Sequence, residues 1–187
     1  MEAPPLPYHS RTMKFILIIC AVVCTSAVVI AQDEQDKMQE LFGKGLNAFN
    51  KGNYGEAVIF YTRCIERDSL TMNVWFNRAS AYLRLRDFSK AKDDLDYILL
   101  RQPELLNARM QRAVVEAEMG LLPMAIEDVS TVIGQDSTFP KAYLLRGRLR
   151  LAAFKDSAGA CQDHRAAFAL GDSTALRYMT QGCRERR

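Results

Sequence analysis

The sequence predicts an all-α fold in which about four helix pairs stack into a solenoid, followed by a C-terminal capping helix. Three observations support this prediction. Small residues recur at a fixed interval of 34 residues. Apolar residues three and four positions apart mark the second helix of each pair. Gly, Asn or Pro stands where one helix has to end and the next begin. The recurring small residues, which we expect at close helix crossings, are Gly45, Ala79, Ala113 and Gly147.

The N-terminal segment is expected to lie outside the helical domain. Residues 1–12 precede a second methionine, Met13, and form an extension to which we assign no function. Residues 13–31 contain an early lysine, about seventeen apolar residues and a small residue before Gln32, which is the pattern of a cleaved secretory signal peptide. Because about seventeen apolar residues is also the lower limit for a membrane span, an uncleaved membrane anchor is the alternative.

The remaining chain, residues 32–187, is expected to form one domain. Its first two repeats, at about 38–71 and 72–105, contain the clearest second helices. Gly52 and Asn53 supply the turn in repeat one because both tolerate positive φ, and Pro103 ends repeat two. The apolar residues that mark the two second helices are Ala57, Phe60, Tyr61, Cys64 and Ile65, then Ala91, Leu95, Ile98 and Leu99.

Repeats three and four, at about 106–139 and 140–173, follow the same spacing less regularly. The fourth repeat is one residue longer, which indicates an insertion around residues 154–156. His164 stands where the other repeats have an aromatic or aliphatic residue. A turn at Gly171 then leads into a capping helix at about 173–185, needed to cover the last apolar face. The residues expected to point inward from this helix are Ala175, Leu176, Met179 and Cys183.

A 34-residue period with small residues at the helix crossings resembles the tetratricopeptide repeat (TPR) family, over about residues 38–173. The resemblance is to small exported bacterial-type members. It implies a right-handed superhelix whose concave face, formed by the first helices, binds extended peptides or partner helices. Phe42, Phe76 and Met110 are expected to form an open apolar strip there. The resemblance implies a groove lined by Phe42, Leu46, Phe49, Asn73, Phe76, Asn77, Ser80, Asn107, Met110, Gln111, Val114, Lys141, Leu144 and Arg148.

One TPR subfamily grips the carboxylate tail of heat-shock chaperones with two lysines, an arginine and two asparagines. The corresponding residues of this chain are Phe42, Leu46, Asn77, Asn107 and Gln111, of which only Asn77 matches. A carboxylate bound there would lose charge-assisted hydrogen bonds of about 1.5–3 kcal/mol each. The resemblance therefore implies an apolar peptide or a helix face as ligand, rather than a chaperone tail.

Arginine and aspartate recur together in three of the repeats. Arg78, Arg112 and Arg146 each precede the small crossing residue, while the first repeat has Lys44 there. An aspartate follows the alanine of the second helix in the same three repeats, and the first repeat has Phe60 instead. This co-occurrence favours ion pairs between the two helices of a repeat over an open basic stripe. The aspartates are Asp94, Asp128 and Asp163.

The residues give little reason to expect catalysis or a cofactor. Outside the N-terminal segment His164 is the only histidine, and Cys161 with His164 is at most half of a zinc site. Cys161 and Cys183 lie at similar distances from Gly171 on consecutive helices, so an exported chain would join them in a disulfide, with two free thiols as the alternative. Cys64 is expected to be a buried small hydrophobic residue.

These observations together predict an exported, non-enzymatic TPR scaffold that binds a protein or peptide partner through its concave groove. We expect a periplasmic location and no cofactor. Beyond the N-terminal segment the chain has 23 basic and 21 acidic residues, a balance that does not favour nucleic acid or an anionic membrane as partner. No small-molecule substrate is expected. The alternative is a membrane-anchored TPR component of a cell-envelope assembly complex, in which the N-terminal segment is not cleaved.

Overall fold

The computed structural model describes residues 32–68 and 70–183. The predicted N-terminal extension and signal peptide, residues 1–31, lie outside the described residues, and so does the predicted end of the capping helix beyond residue 183. Within the described ranges every regular element is a helix and there is no strand. No helix in these ranges combines the length and the apolar character needed to cross a membrane.

In residues 32–68 and 70–183, eight helices form four antiparallel pairs and a ninth helix follows them. The molecule is therefore the predicted all-α, right-handed solenoid of four helix pairs with a C-terminal capping helix. The helices are α1 (32–50), α2 (Tyr54–Arg67), α3 (Met72–Arg84), α4 (Phe88–Arg101), α5 (Leu106–Glu118), α6 (Leu122–Gln135), α7 (Pro140–Phe154), α8 (Ser157–Ala169) and α9 (Ala175–Gly182). The helices of a pair pack on each other, and α3, α5, α7 and α9 each also pack on the second helix of the preceding pair.

The turn between the two helices of a pair contains one residue at positive φ. This residue recurs every 34 positions and arrives one residue late in the fourth pair: Gly52, Arg86, Gly120 and Lys155. Asn53, expected at positive φ, instead has φ of −80° and directly precedes α2. Helix α7 has 15 residues where α3 and α5 have 13, and its turn is shorter, so the predicted insertion is confirmed.

The small residues lie at the helix crossings, as predicted. A Cβ built on Gly45 would lie 2.6 Å from Cε1 of Tyr61 on α2, so no larger side chain fits there without a shift. Ala79 and Ala113, at the same register in the next two repeats, are fully buried. Each belongs to a core cluster that also contains residues of the second helix of its pair. The core therefore runs along the solenoid between successive helices.

The capping helix is shorter than predicted and is rotated relative to the expectation. Ala175 is buried, but the side chain of Leu176 is 49% exposed, so the prediction that Leu176 points inward is wrong. Successive helical residues are about 100° apart, which directs Tyr178 and Met179, and not Leu176, to the same face as Ala175. The ring of Tyr178 lies 5.2 Å from that of His164 on α8.

A disulfide attaches the end of the capping helix to the fourth repeat. Cys183 directly follows α9, and its sulfur is bonded to that of Cys161 on α8, with the two Cα atoms 5.4 Å apart. Cys64 is buried and is not in a disulfide; it belongs to the core cluster formed by α1, α2 and α3.

Candidate functional site

The first helices of adjacent repeats lie side by side and form one face, made by α1, α3, α5 and α7, which we call the first-helix face. Helices α3 and α5 contact each other directly. Gln111 on α5 donates a hydrogen bond from Nε2 to Oγ of Ser80 on α3, over 2.7 Å. This contact ties repeats two and three together at the surface where the groove is predicted.

The polar groove residues are arranged by hydrogen bonds along and between these helices. Nδ2 of Asn77 donates to the backbone oxygen of Asn73, and Oγ of Ser80 donates to the backbone oxygen of Phe76. Asn73 and Asn107, one repeat apart, are both exposed. Oε1 of Gln111 is buried and has no hydrogen-bond partner among the described residues. The first-helix face therefore presents amide groups, while the acceptor oxygen of Gln111 lies buried beneath it.

The apolar groove residues contribute to the core as well as to the surface. Phe42, Phe49, Phe76 and Met110 are half-buried, and each packs against one of the core clusters. Phe42, Phe76 and Met110 therefore each leave part of their side chain at the surface, and the open apolar strip stays a prediction. Each first helix packs against neighbours on two sides, so its apolar stripe is wide and part of it serves the core.

The remaining predicted groove residues differ in exposure along the face. Leu46, Val114 and Leu144 are half-buried, whereas Lys141 and Arg148 are exposed. Val114 and Arg148 also line a cleft at the C-terminal end of the face, next to α9. The first-helix face thus continues into this cleft.

The predicted ion pairs between arginine and aspartate are confirmed in all three repeats. Arg112 holds Asp128 with two hydrogen bonds, of 2.7 Å from Nε and 2.8 Å from Nη2. The same two-bond geometry joins the other two pairs, Arg78 to Asp94 and Arg146 to Asp163. The aspartates are almost completely buried. These arginines therefore join helices and do not form an open basic stripe.

Each of these arginines also reaches a third helix, which the sequence analysis missed. The Nη1 group donates to a residue on the second helix of the preceding repeat, sixteen positions earlier in the chain. For Arg112 this acceptor is Asp96, at 2.7 Å. The repeated 34-residue spacing of the three acceptors could have identified them: Thr62, Asp96 and Ser130.

The side chains considered for chemistry are held in structural roles. His164 is 3% exposed, and neither of its ring nitrogens has a hydrogen-bond partner among the described residues. Its burial lowers the pKa of the imidazole, which favours the neutral form. The sulfur of Cys161 is bonded to Cys183 and is not a nucleophile in this state. In the part of the chain that the structure describes, no group of His, Cys, Asp or Glu is arranged to hold a metal ion.

Comparison with known families identifies the repeat. The model named "Tetratricopeptide repeat" matches residues 41–69 and 73–103, which correspond to α1–α2 and α3–α4. Residues 41–69 and 73–103 are therefore similar to tetratricopeptide repeats.

Comparison with curated proteins finds eukaryotic relatives that share only a part of their length with this chain. It is 37% identical over 90 residues to human sperm-associated antigen 1, covering 48% of this chain and 10% of that protein. It is 30% identical over 114 residues to RNA polymerase II-associated protein 3 of Xenopus laevis, covering 61% of this chain and 17% of that protein. A Fusarium oxysporum co-chaperone with TPR and J domains is 29% identical over 114 residues, covering 60% of this chain and 22% of that protein. These relatives do not support a bacterial-type, exported protein.

Comparison with solved structures supports the solenoid fold. The first TPR of Spaghetti (RPAP3), bound to the HSP90 peptide SRMEEVD, is 26% identical with a TM-score of 0.59, covering 63% of this chain and 93% of that one. A crystal structure of MamA has a TM-score of 0.67 at 17% identity, covering 92% of this chain and 99% of that one. The second likeness shows the fold alone.

Proposed function

We propose that this chain is an exported, non-enzymatic TPR scaffold that binds a protein or peptide partner through its first-helix face. The observation that carries the proposal is the row of side-chain amides at matching positions of two repeats. Asn73 and Asn107 form one such pair, and Asn77 and Gln111 form the other. The Nε2 group of Gln111 is held by Oγ of Ser80, which fixes the position of this amide on the face.

An extended peptide suits this surface chemically. Its backbone presents N–H and C=O groups at regular intervals, and a side-chain amide can both donate to and accept from them. The likeness to a TPR domain bound to an HSP90 peptide supports a peptide as ligand. The half-buried Phe76 and Met110 leave apolar edges between the amides, which can contact the side chains of the peptide.

The chemistry of the face disfavours recognition of a terminal carboxylate at its centre. At the positions where the chaperone-binding subfamily has cationic side chains, this chain has Phe42, Asn107 and Gln111. Without charge-assisted bonds of about 1.5–3 kcal/mol each, a terminal carboxylate has little to hold it. We therefore propose that the partner is gripped along its length.

The non-enzymatic part of the proposal rests on the state of the two candidate groups. A cysteine nucleophile needs a free thiolate near a base. The sulfur of Cys161 is held by Cys183, and the ring of His164 is packed between Gly147 and Tyr178. Relatives that are co-chaperones or associated proteins also fit a scaffold role.

The proposed export rests on the segment at residues 13–31 and on the disulfide. Disulfides persist in oxidising compartments and are rare in the cytosol. The periplasm is one such compartment, although the eukaryotic relatives do not favour it over others. The alternative proposal is a membrane-anchored envelope component. The N-terminal mass of the native protein separates them: a chain starting at Gln32 supports export, and a chain retaining residues 13–31 supports the anchor.

Site-specific crosslinking tests the proposed binding face. A photoreactive amino acid replaces Asn73 or Asn107 on the first-helix face, and Glu127, exposed on α6, serves as the matched control. We expect one partner to be crosslinked at the first two positions in the native source and not at the third. Recovery should fall when Asn77 and Gln111 are both changed to Ala. Equal crosslinking from all three positions would show that the first-helix face is not the binding surface.

A further inference from the structure

The C-terminal end of the first-helix face opens into a cleft of about 510 Å³. It lies between α5, α7, α8 and α9, so the capping helix forms part of its wall. Most of the lining is aliphatic: Val114, Ala117, Leu145, Leu149, Leu151 and Ala152. The cleft can therefore enclose an apolar side chain.

Two cations at this cleft have no acidic partner among the described residues. Arg148 and Lys155 line it and are both exposed. Neither lies within ion-pair distance of a carboxylate in residues 32–68 and 70–183, whereas the arginines at the helix crossings are all paired. Glu118, the acidic residue of the lining, approaches Arg86 at 4.0 Å. The rim of the cleft is thus positively charged.

A buried polar group also lies in the lining. His164 is more than nine-tenths buried and is a lining residue of the cleft, yet its two ring nitrogens lack hydrogen-bond partners within the described part of the chain. A buried polar group without a partner destabilises the fold because it has lost its hydration, and such groups are rarely left unpaired. Tyr178 from α9 lies beside it. A ligand group that reaches His164 would remove that cost.

We propose that this cleft binds an acidic–apolar segment of a partner protein, in which an apolar side chain stands next to a carboxylate side chain. The apolar side chain enters the aliphatic part, the carboxylate meets Arg148 and Lys155, and a polar group of the segment reaches His164. This proposal rests on the proposed function and specifies the chemistry of the partner. It places the acidic contact one repeat beyond Asn107 and Gln111.

A peptide is favoured over a lipid or a free carboxylate because of where the cleft lies. Val114 and Arg148 belong both to its lining and to the first-helix face. A chain that runs along the face from Asn73 and Asn107 therefore arrives at the cleft without a break. A small ligand would use only the cleft.

The test uses a fluorescein-labelled peptide amide, Gly-Leu-Glu-Leu-Glu-Gly, titrated with the mature protein at low ionic strength and followed by fluorescence anisotropy. The amide removes the terminal carboxylate, so the peptide itself carries only side-chain carboxylates, and the Gln peptide carries the same anionic label. We expect Arg148→Gln to weaken binding about fivefold or more, and Arg165→Gln, an equal charge change at an exposed residue of α8, to leave it within about twofold. A peptide with Gln in place of both Glu residues should bind to the parent at least as weakly as the Glu peptide binds to Arg148→Gln, because Lys155 still contacts the Glu peptide in that variant.

Lys155 needs a substitution that suits its backbone. Its φ is 55°, which Asn tolerates better than most residues, so Lys155→Asn removes the charge with little strain. We expect this variant to weaken binding in the same direction as Arg148→Gln. If Arg148→Gln proves unstable by circular dichroism, Arg148→Lys retains the charge and should bind within about threefold of the parent.

Several results would overturn the proposal. They are equal loss in Arg148→Gln and Arg165→Gln, equal binding of the Glu and Gln peptides, or no binding of the Glu peptide. Displacement of the peptide by sodium decanoate at a lower concentration than by unlabelled peptide would assign the cleft to a lipid-type carboxylate instead. Failure of the cleft alone would leave the crosslinking at Asn73 and Asn107 intact, whereas failure of the scaffold function would abolish it.

Discussion

The ring of His164 occupies the space that a side chain at residue 147 would need. A Cβ built on Gly147 would lie 2.7 Å from Cδ2 and Nε2 of that ring, and 3.0 Å from the backbone oxygen of Ala160. Gly45 faces the ring of Tyr61 in the same way. The two middle repeats have alanine at this position, with Leu95 and Val129 on the facing helix. In the two repeats where the second helix has an aromatic ring at this crossing, the first helix therefore has glycine opposite it.

Gly147→Ala is therefore expected to destabilise the protein, although the intrinsic helix propensity of Ala is better than that of Gly by about 1 kcal/mol. Overpacking against His164 and the α8 backbone costs about 1–3 kcal/mol, which exceeds that gain in most of its range. Adding His164→Val, which copies the Ala–Val combination of repeat three, should recover stability. Urea unfolding of both variants measures the difference.

The matched control for this change is Gly134→Ala, because a Cβ at residue 134 in α6 would meet nothing within 4 Å. We expect this control to be neutral or stabilising. If Gly147→Ala behaves like the control, the close approach of the two helices does not constrain residue 147. If His164→Val fails to recover stability in the double variant, the backbone of Ala160 is the obstacle and not the ring.

The Arg112–Asp128 pair is expected to be strongly coupled. The side chain of Asp128 is 7% exposed, and Arg112 joins α5 to α6 and, through Asp96, to α4. Asp128→Asn leaves the guanidinium partly buried with one carboxylate fewer, so we expect a loss of about 3–5 kcal/mol in unfolding free energy. A double-mutant cycle over Arg112→Met and Asp128→Asn should show non-additivity.

The first repeat provides the control for this cycle. Lys44 stands in the register of the arginines but pairs with Glu40 at the surface, with both side chains more than half exposed. Its cycle should be additive within error, because an exposed pair is screened by solvent. If the cycle at Arg112–Asp128 is additive as well, the buried ion pair has no larger coupling free energy than the exposed one, and the prediction is wrong.

The helix pairs, the crossings and the ion pairs could be predicted because each of them repeats. A 34-residue spacing compares four positions at once, and Arg with Asp occurs in three repeats and is missing from the first. Features that occur once gave no such comparison. The burial of His164, the orientation of Leu176 and the cleft beside α9 depend on how the capping helix packs, which no repeat unit encodes. The open apolar strip stays a prediction, because apolar periodicity does not say how much of a half-buried residue faces the groove.

Glu116 is expected to make stability depend on pH. It is 1% exposed, its Oε2 has no partner among the described residues, and burial raises the pKa of its carboxyl, with Asp128 adding to the effect. Because the pKa is raised in the folded state, the buried charged carboxylate destabilises the fold at pH values above that pKa. This destabilisation disappears as the pH falls and the carboxyl becomes protonated. Glu116→Met should therefore stabilise the protein by about 1–3 kcal/mol at pH 7.5, and by less at pH 4.

The measurement is the difference in urea midpoint between parent and variant at each pH, which cancels the titration of other carboxylates. Glu127→Met, at an exposed position of α6, is the control and should change the midpoint little at either pH. A gain at Glu116 that is the same at both pH values would show that packing, and not charge, is responsible. A loss would show that the approach of Arg112, 4.0 Å away, outweighs the burial penalty.

The disulfide between Cys161 and Cys183 is expected to hold the capping helix against the fourth repeat. Helix α9 has eight residues, too few to be stable alone, and its main contacts are with α8. The bond closes a loop over a sequence separation of 22 residues, for which the chain-entropy model gives about 3 kcal/mol of stabilisation. Reduction should therefore release α9, uncover His164 and open the cleft wall that contains Tyr178. Hydrogen exchange should show faster exchange in α9 and in the His164 region after reduction, with α3 and α4 unchanged.

The Cys161→Ser, Cys183→Ser double variant should match the reduced parent and should not respond to reductant, which separates loss of this bond from any effect on Cys64. Mass spectrometry of non-reduced peptides from the native protein then tests the premise: a peptide joining residues 161 and 183 is expected, and two free thiols in protein recovered from an oxidising compartment would contradict it.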